Sequence, residues 1–146
     1  MHNPKSVTGI LLLLAVLALP STLGAEDAAI IKSLPETTDQ LLVSALQVQQ
    51  TDMDCSHLVH YLYQQSGLYY DYADSRTLYD EGVKEFRRVT HPRAGDVIVW
   101  RGHVGIVVDP ADHSFISALR TGVKVSSYVS HYWKGRGIPK FFRYVG

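Results

Sequence analysis

The chain contains a single cysteine, Cys55, and the residues after it have the spacing of an amphipathic helix. Leu58 and Val59 follow at helical spacing, which places Cys55 in the first turn, at the edge of the buried stripe. Unpaired backbone N–H groups and the helix dipole lower the pKa of a thiol in that position, and the thiolate is the nucleophilic form. Cys55 is therefore a candidate nucleophile, although a lone cysteine can also be a small buried hydrophobic residue.

A histidine at the start of an apolar stretch is the expected partner of this thiol. His103 follows Gly102 and precedes small and β-branched residues that predict a strand. Gly105 is expected to leave room for a substrate beside the imidazole. An imidazole can take the proton of a nucleophilic thiol, and a cysteine upstream of its histidine is the chain order of papain-like enzymes. The alternative is a half-exposed strand histidine without a role in chemistry.

Helices come first in the predicted fold, and strands follow them. Ser33 is the predicted start of a first helix, the cysteine helix is expected over residues 55–66 with Gly67 after it, and Ser75 is expected to cap a short helix over residues 76–81. Alternating apolar residues then predict strands over residues 86–89, 96–101, 103–109, 114–119, 123–128 and 140–145. This order predicts an α+β fold in which N-terminal helices pack on an antiparallel sheet of about five to six strands.

Four stretches of the sequence resemble motifs of one family, the NlpC/p60 cysteine peptidases. Residues 54–59 (Asp-Cys-Ser-His-Leu-Val) resemble its D-C-S-G-[LF]-V box, and residues 103–108 (His-Val-Gly-Ile-Val-Val) resemble its H-V-G-I-Y strand. Residues 93–100 are similar to its P-G-D-L-V-F-F strand, and residues 114–123 are similar to F-[IV]-H-A followed by G-V. The resemblance extends over roughly residues 52–144, and the motifs occur in the family's order.

The resemblance implies a papain-like core, in which the cysteine helix packs on an antiparallel sheet that carries the histidine. It also implies hydrolysis of amide bonds in the stem peptides of bacterial peptidoglycan, often between D-Glu and a diamino acid, without a metal or other cofactor. Cys55 would be the nucleophile, and His103 the general base and then the acid. We expect the backbone N–H of Cys55, with that of Ser56, to stabilise the oxyanion, and Asp54 to cap the helix.

The sequence departs from the family pattern at three places. His57 stands where the family usually has glycine, and its role is open. No Y-x-x-G-G segment, whose aromatic residue helps to bind substrate in the family, is present in residues 45–52. Ser117 stands where the family usually has a third catalytic histidine.

Ser117 is the predicted orienting residue for His103. A hairpin that turns around Pro110 pairs Ser117 with His103, and a serine oxygen can accept a hydrogen bond from the imidazole Nδ1–H. His113 is the alternative orienter, but the same register pairs it near Val107, ~13 Å along the strand from His103. A serine brings no charge, so it stabilises an imidazolium less than a carboxylate would.

Two other classes of function remain open on the sequence. The first is a catalytically weak domain that binds wall peptides, favoured by the neutral Ser117 and by the missing aromatic segment. The second is different amide or acyl chemistry on the same core, such as a CHAP-type amidase or an acyltransferase, which would also suit the Gly102–His103 strand. The intact Cys55 and His103 favour a peptidase over the first class, and the Asp-Cys-Ser motif favours it over the second.

The N-terminal residues have the layout of a secretory signal peptide. Lys5 precedes an apolar run over residues 10–19, which is too short to span a bilayer and is followed by small residues. Cleavage after Gly24 or Ala25 is expected, so residues 1–25 are the predicted signal peptide and residues 26–146 the exported domain. The expected location is the periplasm, cell envelope or medium, and a monomer is expected.

Charge is unevenly distributed along the chain. The formal net charge is zero, which argues against nucleic acid as a partner. Residues 26–81 contain ten acidic and two basic residues, whereas the chain from Arg120 onward contains six basic residues and no acidic one. The two parts are expected to pair in the fold, and the alternative is a basic face for an anionic polymer.

Overall fold

The computed structural model describes residues 36–48 and 51–146, so the predicted signal peptide and Ser33 lie outside the described residues. Its helices are α1 (Glu36–Gln47), α2 (Cys55–Gln65), α3 (Ser75–Tyr79) and α4 (His131–Gly135). Its strands are β1 (Phe86–Val89), β2 (Val97–Trp100), β3 (His103–Asp109), β4 (Ser114–Leu119), β5 (Gly122–Ser127) and β6 (Lys140–Tyr144). The strands form one sheet in the order β1-β6-β2-β3-β4-β5, and every neighbouring pair is antiparallel. The predicted α+β class and the antiparallel sheet are confirmed.

Apolar residues cover both faces of the central strands. One face packs against the N-terminal helices through Val97, Val99, Val104 and Ile106, together with apolar side chains of α1, α2 and α3. The other face carries a smaller cluster, in which Trp133 of α4 packs on the residues Ile98, Trp100, Val107 and Phe115. All four residues of β2 are therefore buried. Within the described residues, no helix has the length and apolar character needed to cross a membrane.

The cysteine helix α2 begins at the predicted residue and ends one residue before the predicted end. Asp54 adopts an extended conformation, and its side chain accepts hydrogen bonds from the first-turn backbone, so the helix begins at Cys55. Gly67, which follows the helix, has φ +76°, a conformation that glycine adopts without a side-chain clash. Between these ends, the buried stripe of Leu58, Val59, Leu62 and Tyr63 packs on the sheet.

One predicted helix is wrong in detail, and one short helix was not predicted. The short helix α3 is capped by Asp74, whose side chain accepts the Thr77 N–H at 2.7 Å, and Ser75 is its first residue. An aspartate and a serine in succession are both good N-caps, and the sequence does not distinguish them. The short helix α4 is not predicted, because five residues are too few to show a helical period.

The register between β3 and β4 differs by two residues from the predicted one. Ile106 pairs with Ile116 and Val107 with Phe115, and the register shifts between Val107 and Asp109. This register places Ser117 opposite Gly105 rather than opposite His103. The predicted hairpin did not include the irregularity near its turn, which a regular alternation cannot reveal.

Gly105 allows β3 and β4 to approach closely. A Cβ atom at Gly105 would lie 2.6 Å from the carbonyl oxygen of Ile116, 2.7 Å from the Phe115 ring and 3.1 Å from the Ser117 Cβ. The expectation that Gly105 leaves room for a substrate is therefore wrong, since the neighbouring strand fills that space.

An ion pair joins the buried Asp96, just before β2, to the partly exposed Arg143 on the last strand. Arg143 on β6 donates two hydrogen bonds to the carboxylate of Asp96, at 3.0 and 2.7 Å. Lys140 on β6 also contacts Glu81, at 3.4 Å. Asp96 lies outside residues 26–81, so among the described residues only the Lys140–Glu81 contact joins the two charged parts of the chain, and their expected pairing is present at that contact alone. In the part of the chain that the structure describes, Arg120, Lys124, Lys134 and Arg136 form no ion pair with an acidic side chain.

We predict that Gly105→Ala destabilises the fold by about 1–3 kcal/mol, because the added methyl group overpacks a backbone contact that cannot move aside easily. Gly135→Ala is the matched control, since a Cβ atom there would meet no atom within 4 Å. The control should be neutral or slightly stabilising, as alanine is favoured over glycine in a helix. Urea unfolding of both variants measures the difference, and equal stability of the two would contradict the close approach.

Candidate active site

An open cleft of about 690 Å³ lies between the start of α2, the start of β3, the β4–β5 turn and α4. Cys55 and His103 both line it, and so do the charged residues Asp52, Asp54, Arg120 and Arg136. The residues that complete the lining are Thr51, Met53, Gly102, Ala118, Leu119, Thr121, Tyr132 and Trp133. The two residues predicted to carry the chemistry therefore share one cleft.

Asp54 fixes the first turn of the cysteine helix. Its Oδ1 atom accepts hydrogen bonds from the backbone N–H groups of Ser56 and His57, both at 2.9 Å, and its Oδ2 lies 2.9 Å from the His57 Nδ1. Partial burial acts to raise the pKa of Asp54, but the hydrogen bonds from His57 and Ser56 outweigh it and lower the pKa to about 2. The carboxylate is therefore ionised at neutral pH, as its expected role as helix cap requires.

Ser56 and His57 complete this cap. The buried Ser56 hydroxyl donates to Asp54 at 2.8 Å and lies 3.0 Å from the Tyr72 hydroxyl, while the His57 ring stacks on Tyr72 with centroids 4.3 Å apart. The backbone N–H of Ser56 is bonded to Asp54, so its expected use as a second oxyanion donor does not agree with the structure. The backbone N–H of Cys55 remains as the helix-terminal donor.

The pKa of the Cys55 thiol is raised above its ordinary value, contrary to the predicted lowering. Burial of the thiol is the largest cause, and the negative charge of Asp54 acts in the same direction. Backbone N–H groups act in the opposite direction, that of Val104 foremost, but they do not outweigh burial. The helix terminus contributes less than predicted, because the carboxylate that caps it offsets its positive end.

His103 is held between a hydroxyl and an indole. Its Nε2 lies 2.9 Å from the Ser117 Oγ, and its ring packs on Trp133 with centroids 4.7 Å apart and planes at 35°. Trp133 in turn packs on Trp100 at 4.8 Å. The predicted contact between Ser117 and the imidazole is therefore present, but through Nε2 rather than Nδ1. His103 on β3 and Ser117 on β4 are diagonal neighbours rather than direct partners, and side chains in this relation can touch in an antiparallel sheet.

Burial and a nearby cation make His103 a weak base. Burial of the ring, with the positive charge of Arg136 as the smaller cause, lowers the pKa of His103 to about 4. The raised pKa of Cys55 and the lowered pKa of His103 together favour a neutral thiol and a neutral imidazole in the same cleft. No hydrogen bond joins these two side chains in the described structure, in which the Nε2 of His103 bonds to Ser117. The arrangement suits proton transfer during substrate attack, rather than a preformed thiolate.

His113, the alternative orienter, lies in the β3–β4 turn at the other end of β3 from His103 and packs on Tyr128, with centroids 5.3 Å apart. It does not line the cleft. The contact with the imidazole is made by Ser117, and the catalytic roles of both residues remain predictions.

Among the residues that the structure describes, no group of three His, Cys, Asp or Glu side chains could hold a metal ion.

Three site residues have no predicted role in the sequence: Tyr132, Trp133 and Arg136 on or beside α4. Tyr132 and Trp133 form a distinctive aromatic pair, with ring centroids 5.0 Å apart, but nothing in their spacing indicates contact with His103. The connection between β5 and β6 determines that contact. Four other aromatic residues that could line a cleft do not line this one: Tyr69, Tyr70, Tyr72 and Trp100.

We predict that iodoacetamide alkylates Cys55 slowly at neutral pH, and that the rate rises through the alkaline range, because burial raises the pKa of the thiol. Mass spectrometry of the labelled protein over a pH series gives the rate, with N-acetylcysteine as the reference thiol. A rapid rate that is already constant below pH 7 would instead indicate a preformed thiolate–imidazolium pair.

Comparison with known proteins agrees with this geometry. No curated protein matches the chain. The model of the NlpC/P60 family matches residues 45–139, which is more than half of the chain and includes Cys55, His103 and Ser117. The matched segment contains the cysteine helix and the strands of the cleft. The chain therefore belongs to the NlpC/P60 family.

Proposed function

We propose that this protein is an exported cysteine peptidase that hydrolyses amide bonds in the stem peptides of peptidoglycan. One observation carries the proposal: the only thiol of the chain, at the start of a capped helix, shares a cleft with a strand imidazole whose Nε2 contacts a buried hydroxyl. Membership of the NlpC/P60 family supports a cell-wall peptidase or amidase and supplies the substrate class. The predicted signal peptide supports export.

Acylation begins from the neutral thiol of Cys55 and the neutral imidazole of His103. The Sγ of Cys55 attacks the carbonyl carbon of the scissile amide, and its proton passes to the Nδ1 of His103. A C–S bond forms while the carbonyl π electrons move to oxygen, which faces the backbone N–H of Cys55. The C–N bond then breaks, the proton on His103 moves to the leaving amine, and a thioester remains.

Deacylation repeats the proton transfers with water. His103 takes a proton from water as the oxygen attacks the thioester carbon, the C–S bond breaks, and the proton returns to the Cys55 sulfur. Nδ1 can accept a proton only when the hydrogen of the neutral imidazole is on Nε2. Ser117 favours this tautomer by accepting the Nε2–H, so its role is to position the base rather than to donate charge.

We predict that Cys55→Ala and His103→Ala abolish detectable hydrolysis of a wall peptide, while circular dichroism shows an intact fold. Ser117→Ala should lower the rate about fivefold, since a neutral hydrogen bond contributes ~1 kcal/mol. His113→Ala is the matched control and should have little effect, because this histidine lies outside the cleft. Mass spectrometry of digested muropeptides gives the rates. If Ser117→Ala left the rate of hydrolysis unchanged and His113→Ala lowered it strongly, His113 rather than Ser117 would be the orienting residue.

We predict that the acid limb of kcat/KM has its midpoint near pH 4, the pKa to which burial and Arg136 lower His103. Protonation removes the lone pair that accepts the thiol proton, so activity is present above this pH and is lost below it. Circular dichroism at each pH excludes acid unfolding as the cause. A midpoint near the ordinary histidine value of about 6.5 would contradict the role of burial.

A second candidate function is binding of wall peptides with little catalysis. The observation that favours it is the neutral pair of Cys55 and His103, whose pKa shifts both oppose the ion pair. The muropeptide digest separates the candidates, because a binding domain leaves the peptides intact. The same digest identifies the bond, since cleavage within the stem, release of the whole stem from the glycan and transfer to an acceptor amine give different masses.

Export is tested by the mature N-terminus. Expression in a bacterial host and sequencing of the secreted or periplasmic protein should give a chain that begins at Ala25 or Glu26. Recovery of an uncleaved chain from the cytoplasm would contradict the proposed location, but would not affect the proposed chemistry.

A further inference from the structure

The charged side chains of the cleft come from different elements. Asp52 and Asp54 precede α2, whereas Arg120 belongs to the β4–β5 turn and Arg136 follows α4. Within the described residues, neither arginine forms an ion pair with a carboxylate. Two guanidinium groups thus line the candidate active site, and no carboxylate of residues 36–48 or 51–146 pairs with either of them.

Arg136 is the better positioned of the two. Its Nη1 donates a hydrogen bond to the Tyr132 hydroxyl at 3.3 Å, and its Cζ lies 5.5 Å from the centroid of the Trp133 ring. A guanidinium on an indole gains a cation–π attraction, and the contact reduces its freedom to move. Among the described residues, the Arg120 side chain makes no comparable contact with an aromatic ring and no side-chain hydrogen bond.

The indole that supports Arg136 also supports the base. Trp133 packs on the His103 ring at 4.7 Å, so the guanidinium lies one side chain away from the imidazole. Burial is the larger cause of the lowered pKa of His103, and the positive charge of Arg136 is the smaller cause in the same direction. A substrate group held by Arg136 would therefore lie close to the reacting bond.

We propose that Arg136 binds a free carboxylate of the substrate and so makes the enzyme selective for peptides with an unamidated acidic group near the scissile bond. The inference rests on the proposed function, because it assumes that the bond is cut beside His103. A guanidinium matches a carboxylate in shape and can donate two parallel hydrogen bonds to it. A carboxamide of the same size offers one oxygen and no charge, so it should bind less tightly.

Binding of a carboxylate to Arg136 would also change the pKa of His103. The charged and titratable groups that share the cleft with His103 come from three places: Asp52, Asp54 and Cys55 at the start of α2, Arg120 in the β4–β5 turn, and Tyr132 and Arg136 on or beside α4. A carboxylate on Arg136 offsets its positive charge, which would make the imidazole easier to protonate. With a carboxylate substrate, the acid limb of kcat should therefore lie at higher pH than the limb of kcat/KM. A carboxamide substrate should not produce this separation.

The test compares one synthetic stem peptide with copies in which a single carboxylate is replaced by a carboxamide. The wild-type protein should cleave one of the copies about tenfold less efficiently, mainly through KM, as expected for loss of a charge-assisted hydrogen bond. R136Q should cleave that copy and the parent peptide equally well, whereas R136K, which keeps the charge, should retain part of the preference. R120Q is the matched control, since it removes the same charge from the same cleft, and it should retain the full preference.

Three results would overturn the inference: no preference in the wild-type protein, an unchanged preference in R136Q, or a preference lost in R120Q alone. The last of these would assign the carboxylate to Arg120. Circular dichroism checks that each variant is folded. If R136Q does not fold, R136K still tests the inference. Lysine keeps the positive charge but lacks the planar guanidinium, so the preference for the carboxylate peptide should be weaker in R136K than in the wild-type protein.

Binding to a C55A background separates this inference from the proposed function. Calorimetry with C55A should show tighter binding of the parent peptide than of the carboxamide copy, and C55A/R136Q should remove the difference. If the wild-type protein cleaves nothing but C55A still discriminates through Arg136, the carboxylate site stands and the peptidase proposal fails. If the wild-type protein cleaves peptides but C55A does not discriminate, the carboxylate site fails and the peptidase proposal stands.

Discussion

The close approach of β4 to β3 at Gly105 is the constraint on which the candidate site depends. With no side chain at this position, the Ile116 carbonyl and the Phe115 ring occupy the space that a Cβ atom would need. Ser117 is thereby brought within 2.9 Å of the His103 Nε2, although the two residues are not direct partners in the ladder. Without this approach, the imidazole would lose its hydrogen bond to Ser117 and keep its ring contacts with Trp133 and Trp100.

Burial, rather than the helix dipole, dominates the electrostatics of the site. Removing a thiol and an imidazole from water disfavours the charged form of each, so the two pKa values move apart. The capping carboxylate of Asp54 strengthens the effect at Cys55, because it places a negative charge at the helix end that would otherwise stabilise a thiolate. A site of this kind keeps its thiol protonated, which limits the reaction of that thiol with oxidants and other thiols.

Features that depend on local sequence were predictable, and features that depend on long-range packing were not. The period of two located all six strands to within about two residues, and the helix start at Cys55 follows from Asp54 and the apolar stripe that comes after it. The contact between Ser117 and His103 was predicted from a register that was wrong by two residues. It is still present because a shift of two keeps a side chain on the same face of the sheet.

The pKa directions could not be read from the sequence, because burial is a property of the assembled fold. Position in the first turn of a helix indicates a lowered thiol pKa, yet neither the depth of Cys55 nor the competing charge of its cap is visible in the spacing. The same holds for Trp133 and Arg136, which reach His103 only through the path of the chain between β5 and β6.

The two tryptophans of the chain belong to a single cluster, with Trp133 in contact with both Trp100 and the His103 ring. Indole fluorescence is quenched when a neighbouring imidazole becomes protonated. All tryptophan emission of this protein therefore originates beside the candidate base. The fluorescence of the indoles that pack the second face of the sheet should therefore change when His103 is protonated.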